Sequence, residues 1–437
     1  MRSSRFPRAL RPLASFPRCR MRVALGASQR VAFPSPARPR RRVAPAVMKP
    51  RASAAAGTVA GVAAFAAYYL LRCRLAPKIR AGTTALNAAL LARLPALRAP
   101  YTPPFWAFNA WVQLVLHVIR SRRLPRQPPF RRETLTAPDG GSIGLDWLEP
   151  PAAASNAPVL LLLHTITGTS REFLDLARLA AARGWRAVVC LRRGHLGTPL
   201  TSPRCNLLGN TDDLRQQIAA VRARLPGAPL LAVGSSAGTG LLVRYLGEEG
   251  AKAPFVASVA ICPGYDTSEG GAFSRFVPAL DRHILGACKA FFLRRQNEAL
   301  LRAVPGIERL RAARTLADYQ RCAYALEGYA DVAAMHAATN PMGVARDIRK
   351  PLLVINAEDD PVCSVRNVYD HMALFDEPHD RMLLLTRHGG HCTYFEGLLW
   401  PRGSWAERVA MDYMHEVLRL RAEEGSGATA PAEAAAI

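Results

Sequence analysis

Gly234-Ser235-Ser236-Ala237-Gly238 sets Ser236 between two glycines, after the apolar run Pro229 to Val233 and before the helix-compatible stretch Gly240 to Glu248. A strand that feeds a helix through so tight a turn holds the central residue at a strained φ/ψ, and the flanking glycines let the two elements approach closely enough to permit it. The Ser236 hydroxyl is therefore expected above the carboxyl edge of a sheet. A serine hydroxyl is a weak nucleophile near neutrality. It needs an imidazole to take its proton and an acid to orient that imidazole.

Both partners occur downstream. Pro351-Leu-Leu-Val-Ile355 reads as a short buried strand, and the polar turn Asn356-Ala-Glu-Asp-Asp-Pro361 that follows carries Asp360. Met382-Leu-Leu-Leu-Thr386 is another such strand, and Arg387-His388-Gly389-Gly390-His391 leaves it as a glycine-hinged loop. Glu358 and Asp359 compete with Asp360 for the acid's role. His388 competes with His391, which the Gly389-Gly390 hinge favours because it lets the loop carry the ring back to the serine. His283, His336, His371 and His415 lie in helical patterns and read as packing or surface residues. The competing reading is three polar loop residues that never meet.

The elements that must position these groups follow from the hydropathy pattern. Strand-like runs recur at 159–164, 186–191, 229–234, 255–261, 351–356 and 382–386, alternating with helical stretches. That is the pattern of an α/β, mainly parallel, doubly wound sheet. Phe130–Ala137 and Ser142–Trp147, joined by Asp139-Gly140-Gly141, suggest an antiparallel hairpin at its edge. Val159-Leu-Leu-Leu-Leu163 is apolar throughout, hence a central strand buried on both faces, and it ends in His164-Thr165-Ile166-Thr167-Gly168. Residues 266–345 contain no strand-like run and read as a helical cap over the site. Phe273, Phe276, Phe291 and Phe292 in this interval either line an acyl pocket or form plain core.

From about Tyr101 to Leu420 the chain resembles the α/β-hydrolase family of YheT-like and plant embryogenesis-associated proteins, a family that also holds mammalian membrane-anchored phospholipid and acylglycerol hydrolases. The resemblance rests on Arg193-Gly194, Leu200-Thr-Ser-Pro-Arg204, Gly209-Asn-Thr-Asp-Asp-Leu214, Ala232-Val-Gly-Ser-Ser-Ala-Gly238, Tyr245-Leu-Gly-Glu-Glu-Gly250, Asp359-Asp-Pro361 and Gly389-Gly-His391. It implies the α/β-hydrolase fold, with Ser236, Asp360 and His391 as a catalytic triad in the family's chain order. It also implies an oxyanion hole made by the backbone N–H groups of Ala237 and Ile166, with Thr165 as the alternative second donor because it stands where the family has glycine. The elbow departs too, lacking the usual bulky residue before Ser236 and Leu-Gly-Gly after it, and Asn109-Ala-Trp-Val-Gln113 lacks a family histidine. The implied activity is cleavage of carboxylic esters, in particular of lipids, with no cofactor. Two other readings stand beside it: acyl transfer to an alcohol, for which His371 and Asp376 offer a weak pattern, and a ligand-binding hydrolase fold without catalysis.

Charge separates two parts of the chain. The net charge is +25, yet residues 1–132 hold 26 of the 58 Lys and Arg and no acid, which leaves 32 basic against 33 acidic residues from Glu133 onward. The basic excess belongs to the leader, and without zinc-ligand spacing or an aromatic-basic pattern it does not indicate a nucleic-acid partner. Within it, Ala52 to Leu71 are twenty uncharged residues between Arg51 and Arg72, long enough to cross a bilayer core of about 30 Å as a single transmembrane helix. A soluble Ala-rich helix and the apolar part of a cleaved signal are the alternatives. Residues 1–50, rich in Arg, Ala, Ser and Pro, resemble a mitochondrial or plastid transit peptide; with Met48 as the start, the chain would instead open directly into the anchor, as an endoplasmic-reticulum membrane protein does. Phe105 to Ile119 is apolar and aromatic, followed by Arg120, Arg122, Arg123 and Arg126. It is expected either at an anionic membrane surface or packed on the domain as its first helix. Nine scattered cysteines without Cys-x-x-Cys give no disulfide framework or zinc signal, and residues 425–437 read as a disordered tail.

Overall fold

The computed structural model describes residues 51–125, 128–195, 198 and 200–427. The chain divides into residues 1–58, of which those described are helical, and residues 59–437, which hold the sheet and the candidate site. The basic leader of residues 1–50 and Arg126 lie outside the described residues.

Among the described residues nine strands form one sheet: β1 (Lys78–Ala81), β2 (Arg131–Thr136), β3 (Ser142–Leu148), β4 (Val159–Leu163), β5 (Arg186–Leu191), β6 (Leu230–Ser235), β7 (Phe255–Ile261), β8 (Leu352–Ala357) and β9 (Arg381–Thr386). Their spatial order is β1-β9-β8-β7-β6-β4-β5-β3-β2. β4 to β9 pair in parallel, and β1, β3 and β2 add antiparallel edges. The uninterrupted apolar runs are explained by burial on both faces. In β4, Leu160 and Leu162 enter the core shared with the C-terminal helix Trp405–Gly427, while Val159, Leu161 and Leu163 enter the opposite core shared with the helices Asp212–Arg224 and Ala237–Glu249. A strand buried on one side only would have to alternate apolar with polar residues.

Each strand expected from the sequence is present within one or two residues of its expected bounds. β1 is an addition from upstream of residue 101. Lys78-Ile-Arg-Ala81 is short and half charged, so it carries no hydropathy signal; its pairing with β9, Lys78 opposite Leu385, comes from an open sheet edge rather than from its own composition.

Between β7 and β8 the described chain is helical, with its longest segment at Pro278–Phe292. These helices share a third core in which Leu285, Phe291, Leu310 and Tyr319 meet Leu207 and Leu208. Residues 110–123 form a helix capped by Asn109, whose Oδ1 accepts the Trp111 N–H at 2.9 Å. One side of it packs on the domain through buried Gln113, which accepts the Phe395 N–H at 3.1 Å. The other side is exposed. The C-terminal helix runs to Gly427, into the stretch expected as a tail, and residues 428–437 lie outside the described ones.

Candidate active site

β6 ends at Ser235 and the helix Ala237–Glu249 starts two residues later, so Ser236 alone makes the turn, at φ 50 and ψ −118. A non-glycine residue there costs on the order of 1–3 kcal/mol. The surroundings hold it in place: its N–H donates to Ile261 O at 2.9 Å, and its carbonyl accepts the Thr239 N–H at 2.9 Å and the Thr239 hydroxyl at 2.5 Å. The glycines have their expected reason. A Cβ on Gly238 would strike the Leu163 carbonyl, and one on Gly234 would lie 2.7 Å from Gly238 O.

The loop leaving β9 turns through Gly390 at φ 60 and brings His391 to the elbow. His391 Nε2 lies 2.8 Å from Ser236 Oγ, and its Nδ1 lies 2.9 Å from Asp360 Oδ2. The other Asp360 oxygen accepts the N–H groups of Val362 and Cys363 at 2.8 and 2.9 Å, which fixes the carboxylate in the turn after β8. Burial lowers the His391 pKa, but the Asp360 charge and hydrogen bond outweigh it and hold the imidazole well above its ordinary value.

The competing acids and histidine have other partners. Glu358 binds Lys78 at 2.6 Å. Asp359 Oδ2 pairs with His388 Nδ1 at 3.0 Å, and its Oδ1 accepts the Gly390 N–H at 3.0 Å. His388 and Asp359 thus tie down the hinge that carries His391. The His371 and Asp376 pattern does not assemble, because Asp376 is held by Arg80 at 2.9 and 3.0 Å.

Beyond β4, Thr165 donates its N–H to Glu172 Oε1 at 2.8 Å and its hydroxyl to Glu172 Oε2 at 3.0 Å. Of the two residues open as second oxyanion donor, Thr165 is therefore already engaged. The N–H groups of Ile166 and Ala237 make no hydrogen bond among the described residues, and both residues line the cavity beside Ser236. The carbonyls of this loop are also held. Arg192 donates to His164 O at 2.9 Å and to Thr165 O at 2.5 Å, and His195 Nε2 lies 3.0 Å from Ile166 O. Burial pushes Glu172 up to about 7, and burial with the Arg192 charge pushes His195 down to about 3. Sequence reasoning missed Glu172, Arg192 and His195, since no local spacing links them to residue 165.

The cavity holds about 340 Å³ and is lined by Ser236, His391, Leu208, Val243, Phe273 and Phe276, among others. Phe291 and Phe292 belong instead to the core beneath, against the His195 ring at 4.4 and 5.0 Å. Cys262 and Cys392 with His391, and Cys363 and Asp360 with His391, each bring ligand atoms within 4.8 Å. A cation in either group would compete with Ser236 or Asp360 for His391.

Residues 160–397 match the model of the alpha/beta hydrolase family. Phospholipase ABHD3 of Homo sapiens is 29% identical over 369 residues, 81% of this chain and 88% of that one. Protein ABHD15 of Homo sapiens is 30% identical over 333 residues, covering 71% of this chain and 67% of that one. Embryogenesis-associated protein EMB8 of Picea glauca is 29% identical over 313 residues, 66% of each chain. With more than half of its length matched by the family model, and with the strand order and the elbow turn in place, the chain belongs to the α/β-hydrolase family.

Proposed function

We propose that this hydrolase cleaves carboxylic esters of lipids through an acyl-enzyme on Ser236. His391 Nε2 takes the hydroxyl proton as Ser236 Oγ attacks the ester carbonyl. Asp360 orients the ring and stabilises the imidazolium. The N–H groups of Ala237 and Ile166 bind the oxyanion of the tetrahedral intermediate, each such donor lowering the barrier by about 3–4 kcal/mol. Collapse expels the alcohol, which receives its proton from His391. Water, deprotonated by the same imidazole, then attacks the acyl-enzyme and releases the acid.

The observation that carries this reading is the chain of contacts from Asp360 through His391 to Ser236, at 2.9 and 2.8 Å, from three distant parts of the sequence. The lipid assignment is supported by the apolar cavity with Phe273 and Phe276, by the similarity to phospholipase ABHD3, and by the stretch Ala56–Cys73, whose mean hydropathy of 1.3 suits a membrane anchor. In this reading residues 52–71 are a single-pass anchor, 101–420 the hydrolase and 266–345 a cap over the acyl pocket. A fluorophosphonate probe on the full chain in detergent tests it. Labelling of wild type that disappears in Ser236→Ala supports a serine hydrolase, and unchanged labelling of the variant, or none of wild type, contradicts it.

A further inference from the structure

Of the nineteen exposed large apolar side chains among the described residues, sixteen fall in three short segments: 59–71, 105–119 and 398–400. These segments are joined to one another. The ring of Phe65 meets that of Phe105 at 6.2 Å, Tyr68 meets Phe108 at 6.2 Å, and Trp106 meets Trp400 at 6.2 Å. Backbone and side-chain bonds reinforce the join: Tyr69 donates its hydroxyl to Pro103 O at 2.5 Å, Phe105 its N–H to Leu398 O at 2.9 Å, and Trp106 its indole N–H to Leu399 O at 2.7 Å. The exposed apolar side chains of these three segments therefore adjoin one another. Soluble monomers seldom leave so large a contiguous apolar face to water.

The tryptophans divide the same way. Trp106, Trp111 and Trp400 are 40, 47 and 71% exposed and all lie on this face, whereas Trp147, Trp185 and Trp405 are buried elsewhere. Trp and Tyr favour the boundary between headgroups and acyl chains because an apolar ring and a polar N–H or O–H are satisfied there together. Charge agrees. No acid precedes Glu133, and Arg72, Arg122 and Arg123 are exposed with no carboxylate partner among the described residues. Residues 59–71 themselves belong to the stretch Ala56–Cys73, which is apolar enough to cross a bilayer.

We propose that this face seats on the surface of a phospholipid bilayer, with Trp106, Trp111, Val115 and Trp400 entering the headgroup boundary and Arg122 and Arg123 meeting anionic phosphates. A tether alone would leave the domain free in water; this face holds it down. The helix Ala110–Arg123 gives the contact its consequence. Its outer side carries Trp111, Val115 and Val118, and its inner side, through Leu114, His117 and Ser121, lines the cavity that contains Ser236. One helix thus separates bilayer from cavity, and a lipid reaches Ser236 without crossing bulk water. This last consequence rests on the lipid-ester reading; the docking does not.

The three exposed tryptophans are the probe. The full chain is reconstituted in vesicles of phosphatidylcholine and phosphatidylserine with bromines high on the acyl chains. Quenching of its emission is expected, and so is loss of that quenching when Trp106, Trp111 and Trp400 are all changed to Phe. Unquenched emission from protein that floats with the vesicles overturns the proposal, as does a dimer, broken by Trp400→Ser, that buries the face in a second copy. A Val115→Glu/Val118→Glu variant is expected to lower hydrolysis of vesicle lipid by roughly tenfold or more while turnover of a water-soluble short ester holds. Equal loss on both substrates counts against docking. Quenching is read without turnover, so failure of the docking face and failure of the ester-hydrolase reading give different results.

Discussion

Asp359 and Asp360 are adjacent in the chain yet hold different imidazoles: Asp359 lies 3.0 Å from His388, and Asp360 lies 2.9 Å from His391. One pair anchors the hinge of the loop, through Gly390. The other faces Ser236. Two carboxylates with the same local sequence context thus have separable roles.

Substituting each tests the separation. Asp360→Asn is expected to lower kcat on a soluble ester by roughly 10³–10⁴, since the imidazole loses its orienting and stabilising anion. Asp359→Asn loosens the hinge only and is expected to cost about tenfold. Steady-state kinetics of the two variants decide it; a reversed ranking would assign the acid's role to Asp359.

The pH profile follows from the same contacts. The proposed mechanism needs neutral His391 in the free enzyme, and Asp360 holds its pKa well above the ordinary 6.5 despite burial. Activity therefore rises with pH along a limb set by that raised pKa, and kcat/KM at pH 6 lies far below the plateau. In Asp360→Asn the raising charge is gone, so the limb moves to lower pH while the plateau falls. A kcat/KM profile of both proteins reads the direction.

The loop after β4 depends on Glu172. Glu172→Ala frees the Thr165 N–H and hydroxyl, lets residues 165–166 drift, and is expected to lower kcat by about 10–100-fold with little change in KM, because the lost contact matters only once the oxyanion forms. Glu172→Gln keeps an acceptor for the Thr165 N–H and is expected to restore most of the rate. Equal loss in both variants would show that the carboxylate acts by charge instead.

Gly238 tests the elbow itself. In Gly238→Ala the new methyl meets the Leu163 carbonyl at the C-terminal end of β4, and strand and helix must separate. The expected cost is about 1–3 kcal/mol, seen as a fall of several degrees in Tm. An unchanged Tm would mean that the turn has room the structure denies it.

What could be read from the sequence, and what could not, divides along physical lines. β4 to β9 were legible because a strand covered on both faces must be apolar throughout, and the Ser236 turn because only glycine tolerates the contacts at residues 234 and 238. The choice among Glu358, Asp359 and Asp360 was not fixed by local pattern, since each finds its partner across the fold, in Lys78, His388 and His391. Nor was the engagement of Thr165, which depends on a side chain seven residues on. The helix after Asn109 shows why the two readings of Phe105–Ile119 were both reasonable. Gln113 ties one side to the domain while Trp111 and Val115 leave the other side apolar and exposed.

The most direct measurement is to trap the acyl-enzyme. The full chain is quenched in acid during turnover of an activated ester, digested, and its peptides weighed. Nucleophilic attack by the residue that lies 2.8 Å from His391 Nε2 requires the acyl mass on Ser236 in wild type and its absence in Ser236→Ala. An acyl group on another residue, or full turnover by Ser236→Ala, would contradict it.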